Sequence, residues 1–300
     1  MKTTARSLFN VQNQLGEGPL WHPAEKCLYW VDIATGELFK SNSSLTGYEA
    51  FHFDTMIGAF GFRKEGGFVL ATKNGFSFWD QGQSDPEVLW NPLPERDDVR
   101  MNDGKVDPGG RFWAGSMDAD RREGGLYRLD PDGSQHCILD HIGISNGIGW
   151  SPDRKTMYYT DSIQSTIFAF DYEVETGIIT NQRPFIQLPE DGHGIVPDGL
   201  CVDVDGCIWS AHWNGWEVLR YDPQGKPMLK VEVPAQQVTS CCFGGENMDL
   251  LFITSARIDL PIESLDKQPL AGNLFVFETD TRGQPAHYFG ETTHYHQERS

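Results

Sequence analysis

The chain has 300 residues, 39% of them hydrophobic and 22% charged, and its 24 basic against 43 acidic side chains give a formal net charge of −19. This balance excludes a disordered chain, and no apolar run reaches the roughly 18 residues that a membrane span needs. The negative charge argues against nucleic acid and anionic membrane as partners, and otherwise serves solubility.

The first residues, Met-Lys-Thr-Thr-Ala-Arg, look like the start of a signal peptide, but no apolar segment follows them. A cytoplasmic protein is expected on that ground. Residues 7–11 read as a strand that precedes everything else. Then a phrase begins that returns along the chain. Its copies open at Glu17 (Glu-Gly-Pro-Leu-Trp-His-Pro), Asn102 (Asn-Asp-Gly-Lys-Val-Asp-Pro), Asn146 (Asn-Gly-Ile-Gly-Trp-Ser-Pro) and Asp198 (Asp-Gly-Leu-Cys-Val-Asp). Each places an oxygen-bearing side chain five residues before a turn-opening residue, namely His22, Asp107, Ser151 and Asp203. Weaker copies near Gly58 and Ser240 fill the gaps. The anchors at 17, 58, 102, 146, 198 and 240 stand 41, 44, 44, 52 and 42 residues apart.

A period of that size signals a repeat architecture. Turn sequences punctuate it: Asp107-Pro-Gly-Gly, Asp130-Pro-Asp-Gly, Asp203-Val-Asp-Gly and Asp222-Pro-Gln-Gly. Pro presets φ, Asp bonds its own backbone and Gly takes φ > 0. Short β-rich runs lie between them, at 27–31, 68–71, 111–114, 157–160 and 208–211. The expected fold is all-β, a six-bladed β-propeller with four-stranded antiparallel blades around a central channel. The whole chain, 1–300, reads as one propeller domain, with 292–300 as a disordered polar tail. The last repeat draws on 250–254, 273–278 and 287–289, and residues 7–11 supply its outer strand. Asp203-Val-Asp-Gly imitates the start of an EF-hand loop, but without the later acidic ligand it reads as a turn. Six Cys, at 27, 137, 201, 207, 241 and 242, show no zinc spacing and read as free thiols of a reducing compartment.

Equivalent repeat positions of a propeller converge on its axis. Glu17, Asn102, Asn146 and Asp198 therefore bring two carboxylates and two amides toward one place. Charges in a channel need compensation, and a divalent cation supplies it. All-oxygen donors suit Ca²⁺, Mg²⁺ or Mn²⁺, with Zn²⁺ also compatible. No Gly-x-Ser-x-Gly elbow occurs, which disfavours a serine esterase.

The phrases Gly16-Glu-Gly-Pro-Leu-Trp, Arg100-Met-Asn-Asp-Gly-Lys, Phe112-Trp-Ala-Gly-Ser-Met, Ile144-Ser-Asn-Gly-Ile and Thr254-Ser-Ala-Arg give the chain more than a period. From residue 15 to 290 it resembles the gluconolactonase/regucalcin (senescence marker protein) family of sugar lactonases. The resemblance implies a propeller with one divalent metal in the channel, held by Glu17, Asn146 and Asp198. It implies substrate contacts from Arg100 and Asn102, and from an acidic residue for which Asp120 is the best match, with Asp118 or Glu123 as alternatives. Asp97 and Asp98 are alternative, purely structural partners for Arg100. The implied reaction is hydrolysis of a sugar (aldono) lactone to the aldonic acid by metal-activated water, with Asp198 as general base or ligand. The rival readings are a non-enzymatic Ca²⁺-binding regulatory protein, another metal-dependent esterase or phosphotriesterase on the same scaffold, and a propeller that only binds proteins. The expected partner is a small-molecule lactone, and the expected state a monomer or weak homo-oligomer.

Overall fold

The computed structural model describes residues 3–190 and 192–291. The expected tail at 292–300 lies outside the described residues. Six four-stranded antiparallel sheets form six blades, so the all-β propeller is what the chain builds. Blade 1 runs Gly16–His22, Cys27–Asp32, Glu37–Ser41 and Tyr48–His52. Blade 2 is Ile57–Phe62, Phe68–Thr72, Gly75–Trp79 and Glu87–Trp90. Blade 3 is Arg100–Val106, Phe112–Met117, Gly124–Leu129 and Gln135–Ile142. Blade 4 is Ser145–Trp150, Thr156–Asp161, Thr166–Glu173 and Ile178–Gln187. Blade 5 is Val196–Val202, Ile208–Trp213, Glu217–Tyr221 and Pro227–Glu232. Blade 6 takes Gln237–Gly244, Leu250–Ala256 and Leu274–Glu278. The first strand of each blade meets its counterparts around the axis.

The apolar residues do not gather at the centre. They form six clusters, one between each pair of neighbouring blades. Val31, Ile57 and Phe60 join blades 1 and 2, and Trp113, Ile148 and Tyr159 join blades 3 and 4. This division leaves the axis open to polar side chains without breaking a core.

The turns work as their residues dictate. Gly110, Gly133, Gly206 and Gly225 each donate N–H to the carbonyl three residues back, at 2.8–3.1 Å, with φ between 78° and 87°. The buried carboxylates of Asp107 and Asp203 also fix the next strand. Asp107 accepts from the indole of Trp113 at 2.9 Å, and Asp203 from that of Trp209 at 3.0 Å. Asp203 further accepts from the amides of Asp205 and Cys207 and from Arg220. Its oxygens are committed to the turn, so the EF-hand likeness ends there.

Blade 6 closes the ring with both ends of the chain. Arg6–Phe9 pairs antiparallel with Leu274–Glu278 as the outer strand. The N-terminal segment also exchanges backbone hydrogen bonds with Glu232 of blade 5, and Phe9 stacks on Trp30 of blade 1. Deleting residues 1–12 is expected to lower stability by about 3 kcal/mol or more, since it unburies Phe9 and bares a sheet edge. Denaturant unfolding of the truncated chain measures this, and an unchanged midpoint would remove the role given to the strand.

Residues 287–289 do not belong to blade 6, contrary to the sequence reading. With the outer edge taken by Arg6–Phe9, the chain beyond Glu278 has no strand to pair with and passes under the ring. Gly283 donates to Met248, Gln284 to the carbonyls of Trp150 and Val202, Phe289 to Phe62 and Gly290 to Gly110. The Tyr288 ring packs edge-on against His22. This strap therefore ties all six blades together at the end of the channel where the inner strands finish. Among the described residues no helix is long and apolar enough to cross a membrane.

Candidate functional site at the start of the inner strands

In every blade the pairing between the first two strands breaks at one place. The register shifts between Glu17 and Leu20, Ile57 and Ala59, Met101 and Gly104, Asn146 and Ile148, Pro197 and Leu200, and Val238 and Ser240. A bulge releases a residue from the ladder and re-aims its side chain. Six bulges lie at one level: Asn102 and Asp198 fall inside theirs, while Glu17 and Asn146 are the last paired residues before theirs. The repeat count had placed them in register, and the bulges are the physical form of that register.

The residue after each of these is Gly in blades 1, 4 and 5, at Gly18, Gly147 and Gly199. Space requires it at two of them, since a Cβ at Gly147 would lie 2.6 Å from the Asp198 carbonyl and one at Gly199 2.1 Å from Ser240 Oγ, whereas Gly18 has room but takes a φ of 52°. In blade 3 the same position holds Asp103, which is buried. It brings a third carboxyl to the site, one the sequence reading did not single out. The signal was present, because Asp103 breaks a pattern of glycines.

A chain of hydrogen bonds joins blades 3, 4 and 5. Arg100 donates to Asn102 Oδ1 at 2.5 Å, and Asn102 Nδ2 donates to Asn146 Oδ1 at 2.9 Å and to the Ser145 carbonyl at 2.8 Å. Asn146 Nδ2 donates to Ser162 Oγ at 2.9 Å, and the Ser162 hydroxyl donates to the Pro197 carbonyl at 2.7 Å. Since the Ser162 proton is spent on Pro197, its oxygen must accept, which fixes the Asn146 amide with Oδ1 turned to Asn102. No sequence motif marks Ser162, which opens the short 3-10 turn after Thr156–Asp161, sixteen residues downstream.

The electrostatics are severe. Burial, the neighbouring Asp103 and only partial relief from the Gly18 N–H, Arg100 and Lys105 push the Glu17 carboxyl up to about 8. Burial, with Glu17 and Asp103 beside it, holds Asp198 well above the usual carboxylate range, against the pull of the Gly199 amide and Arg100. Burial also raises Asp103, opposed by Lys105 and the Gly104 N–H. Arg100 is pushed down by burial and held up by Glu17 and Asp198. It turns away from Asp97 and Asp98; the Asp98 carboxylate is taken by Arg96. Asp198 Oδ1 is buried and has no hydrogen-bond partner among the described residues.

These observations test whether a divalent cation suits the site. Among the described residues no three His, Cys, Asp or Glu side chains are disposed to hold a metal together, so a metal here needs an amide as well. Glu17, Asp198 and the oriented oxygen of Asn146 form such a hard-donor set, and the orphaned Asp198 oxygen and the carboxyl crowding are what a dication would relieve. The donor set fits. Asn102 is differently placed, with its oxygen on Arg100 and its nitrogen on Asn146. Asp120 stands exposed on the turn beyond Met117, while Asp118 is buried and bonded to Arg96. Below the ring of bulges lies a cavity of about 100 Å³, walled by Trp21, Lys105, Trp150 and Phe243 and by Gln284 and His287 of the strap.

A six-bladed propeller whose channel gathers buried carboxyls, an arginine and ordered amides defines a class of protein with a polar axial site. The chain belongs to the SMP-30/gluconolactonase/LRE-like family, whose model matches residues 15–257. Regucalcin of Danio rerio is 41% identical over 270 residues, covering 88% of this chain and 90% of that protein. Among solved structures, a regucalcin from Agrobacterium tumefaciens described as a calcium-binding protein superposes with a TM-score of 0.91 at 26% identity, over 96% of this chain and 98% of its own. A luciferin-regenerating enzyme gives a TM-score of 0.86 at 30% identity, over 95% and 98%.

Proposed function

We propose that this protein is a sugar lactonase that hydrolyses an aldonolactone to its aldonic acid at the ring of bulges, with a divalent cation held by Glu17, Asn146 and Asp198. The observation that carries this reading is the buried Asp198 carboxyl, one oxygen of which has no partner among the described residues, set beside Glu17 and Arg100. When bound, the cation supplies Lewis-acid polarisation of a carbonyl and lowers the pKa of water. The description of the Agrobacterium relative favours Ca²⁺, with Zn²⁺, Mg²⁺ and Mn²⁺ as alternatives.

The side chains divide the remaining work. Burial, Glu17 and Asp103 disfavour the ionised form of Asp198 and nearby positive charge favours it; as a carboxylate it would take a proton from the water that attacks the lactone carbonyl. Arg100, held by Asn102, offers N–H donors to ring or hydroxyl oxygens. Asp120 offers a carboxylate from the rim. The strap lies across the other end of the channel, so the substrate approaches from the side of Arg100 and Met117. Five buried free cysteines and one exposed one fit a reducing, cytoplasmic setting.

The test is hydrolysis of glucono-, galactono-, arabinono- and xylonolactone by protein stripped of metal and then reloaded with one ion at a time. Rates at the spontaneous background on all four would end the general lactonase reading. Tight Ca²⁺ binding without turnover would favour a calcium-binding regulatory role, the second reading that the description of the relative supports.

Arg100→Ala is expected to lower kcat/KM by about 10²-fold, because it removes positioning and leaves Asn102 Oδ1 without its donor. Arg100→Lys separates two modes of contact: partial activity means a point-charge contact, and a loss equal to alanine means a forked one.

A further inference from the structure

The loop 91–99 delivers Arg100 to the channel, and the turn 118–123 follows Met117, whose sulfur lies 3.2 Å from the Arg100 guanidinium. Neither segment contains a strand or helix. Arg96 joins them most closely, beside a long ion pair of 3.9 Å between Arg121 and Asp98. Arg96 grips Asp98 with two parallel bonds, Nε at 2.9 Å and Nη2 at 3.0 Å. The same Nη2 reaches Asp118 at 2.9 Å, and Nη1 reaches Glu123 at 3.0 Å. Three carboxylates from two loops thus share one guanidinium.

An exposed ion pair is worth little, but this network has forked geometry and a buried member. Asp118 is only 6% exposed, donates its backbone N–H to the Gly143 carbonyl at 2.7 Å and accepts at its carboxylate from the amides of Arg121 and Glu123. It is the hub of the turn that carries Asp120, and Arg96 is its link to the segment that carries Arg100. Fixing two irregular segments against each other removes conformational freedom from both.

We propose that Arg96 is a positioning residue: it locks the turn 118–123 against the loop 91–99 and so sets the rim of the channel against which the substrate is held beside Arg100. The inference rests on the lactonase reading for its substrate, but the clamp itself stands on the bonds of Arg96. A rim contributes to holding the substrate and not to the proton transfer at Asp198, so its loss is felt in KM.

Arg96→Ala and Arg96→Lys test this, with the wild-type protein, Ca²⁺-loaded, as reference. Arg96→Ala is expected to raise KM about tenfold while kcat stays within about twofold, the pattern of lost binding common to ground and transition states. Lysine cannot make the fork and is expected to recover only part of the loss. Arg121 and Arg122, on the clamped turn, supply an independent reading. Brief trypsin treatment followed by mass analysis is expected to cut there in Arg96→Ala before it does in the wild type, with Ca²⁺ binding by calorimetry unchanged. An unaltered KM together with an unaltered cleavage rate would overturn the proposal. So would a fall in kcat that tracks a loss of Ca²⁺ binding, since that marks general damage to the site. Should the wild type hydrolyse no lactone, the functional reading fails by itself, and the cleavage rate at Arg121 and Arg122 alone decides whether Arg96 holds the turn.

Discussion

Asp198→Ala is expected to abolish lactone hydrolysis, with a loss of kcat/KM on the order of 10³-fold or more, and to leave the propeller folded. Asp198 is buried beside Glu17 and Asp103, and one of its oxygens has no hydrogen-bond partner among the described residues. Removing it therefore relieves like-charge crowding and breaks little. The metal-free variant is expected to melt no lower than the metal-free wild type near neutral pH, because burial and the neighbouring carboxyls already make the Asp198 carboxyl a cost to the folded state there. Activity and melting temperature should thus move independently, or in opposite senses. A variant that keeps more than about a tenth of the activity would exclude Asp198 from both base and ligand roles. A variant that is inactive only because it has unfolded would show as a collapsed melting transition, and Asp198→Asn, which keeps the volume, then serves in its place.

The second large effect is expected from the metal-free wild type as pH rises. The folded-state pKa of Glu17 stands near 8 against an unfolded value of 4.5, and Asp198 is raised in the same direction. Over this window the folded chain binds more protons than the unfolded one. The sign follows: stability is greatest in mild acid and falls as pH climbs from about 4.5 toward 8, by on the order of a few kcal/mol. A bound dication replaces the proton as the neutralising charge, so metal-loaded protein should lose this slope. At a free-ion concentration of a hundred dissociation constants, binding adds about 2.7 kcal/mol. Thermal melts from pH 5 to 8, with chelator and with each ion, read both effects. Glu17→Gln removes one charge from a hard-cation site and is expected to weaken the ion's stabilisation and to flatten the metal-free slope. A metal-free protein equally stable at pH 5 and pH 8 would mean that the carboxyls are compensated in some other way, and that the cation assignment is wrong.

The sequence by itself determined whatever is built by local rules repeated in register. The Asp-x-x-Gly turns fold where they are written because Asp bonds the following amides and Gly accepts positive φ. The spacing of Glu17, Asn102, Asn146 and Asp198 reports one bulge level in four blades, so a count along the chain found side chains that meet across the axis. The outer strand at the N-terminus was legible because it came before the first repeat and had no other place to go. The rest was decided by contacts between segments with no shared period. Asp103 entered the site because blade 3 departs from the glycines of its neighbours. Ser162 orients Asn146 from the turn that follows the next strand, and Arg96 finds Asp118 and Glu123 across a loop. The segment 287–289 reads as one more strand of blade 6. Only the closed ring shows that its edge is already occupied, and that the chain must cross the base of the channel to satisfy its backbone on other blades. A local pattern can state which groups share a level, but which of them touch depends on the closure of the ring, where each residue's partners lie tens to hundreds of positions away.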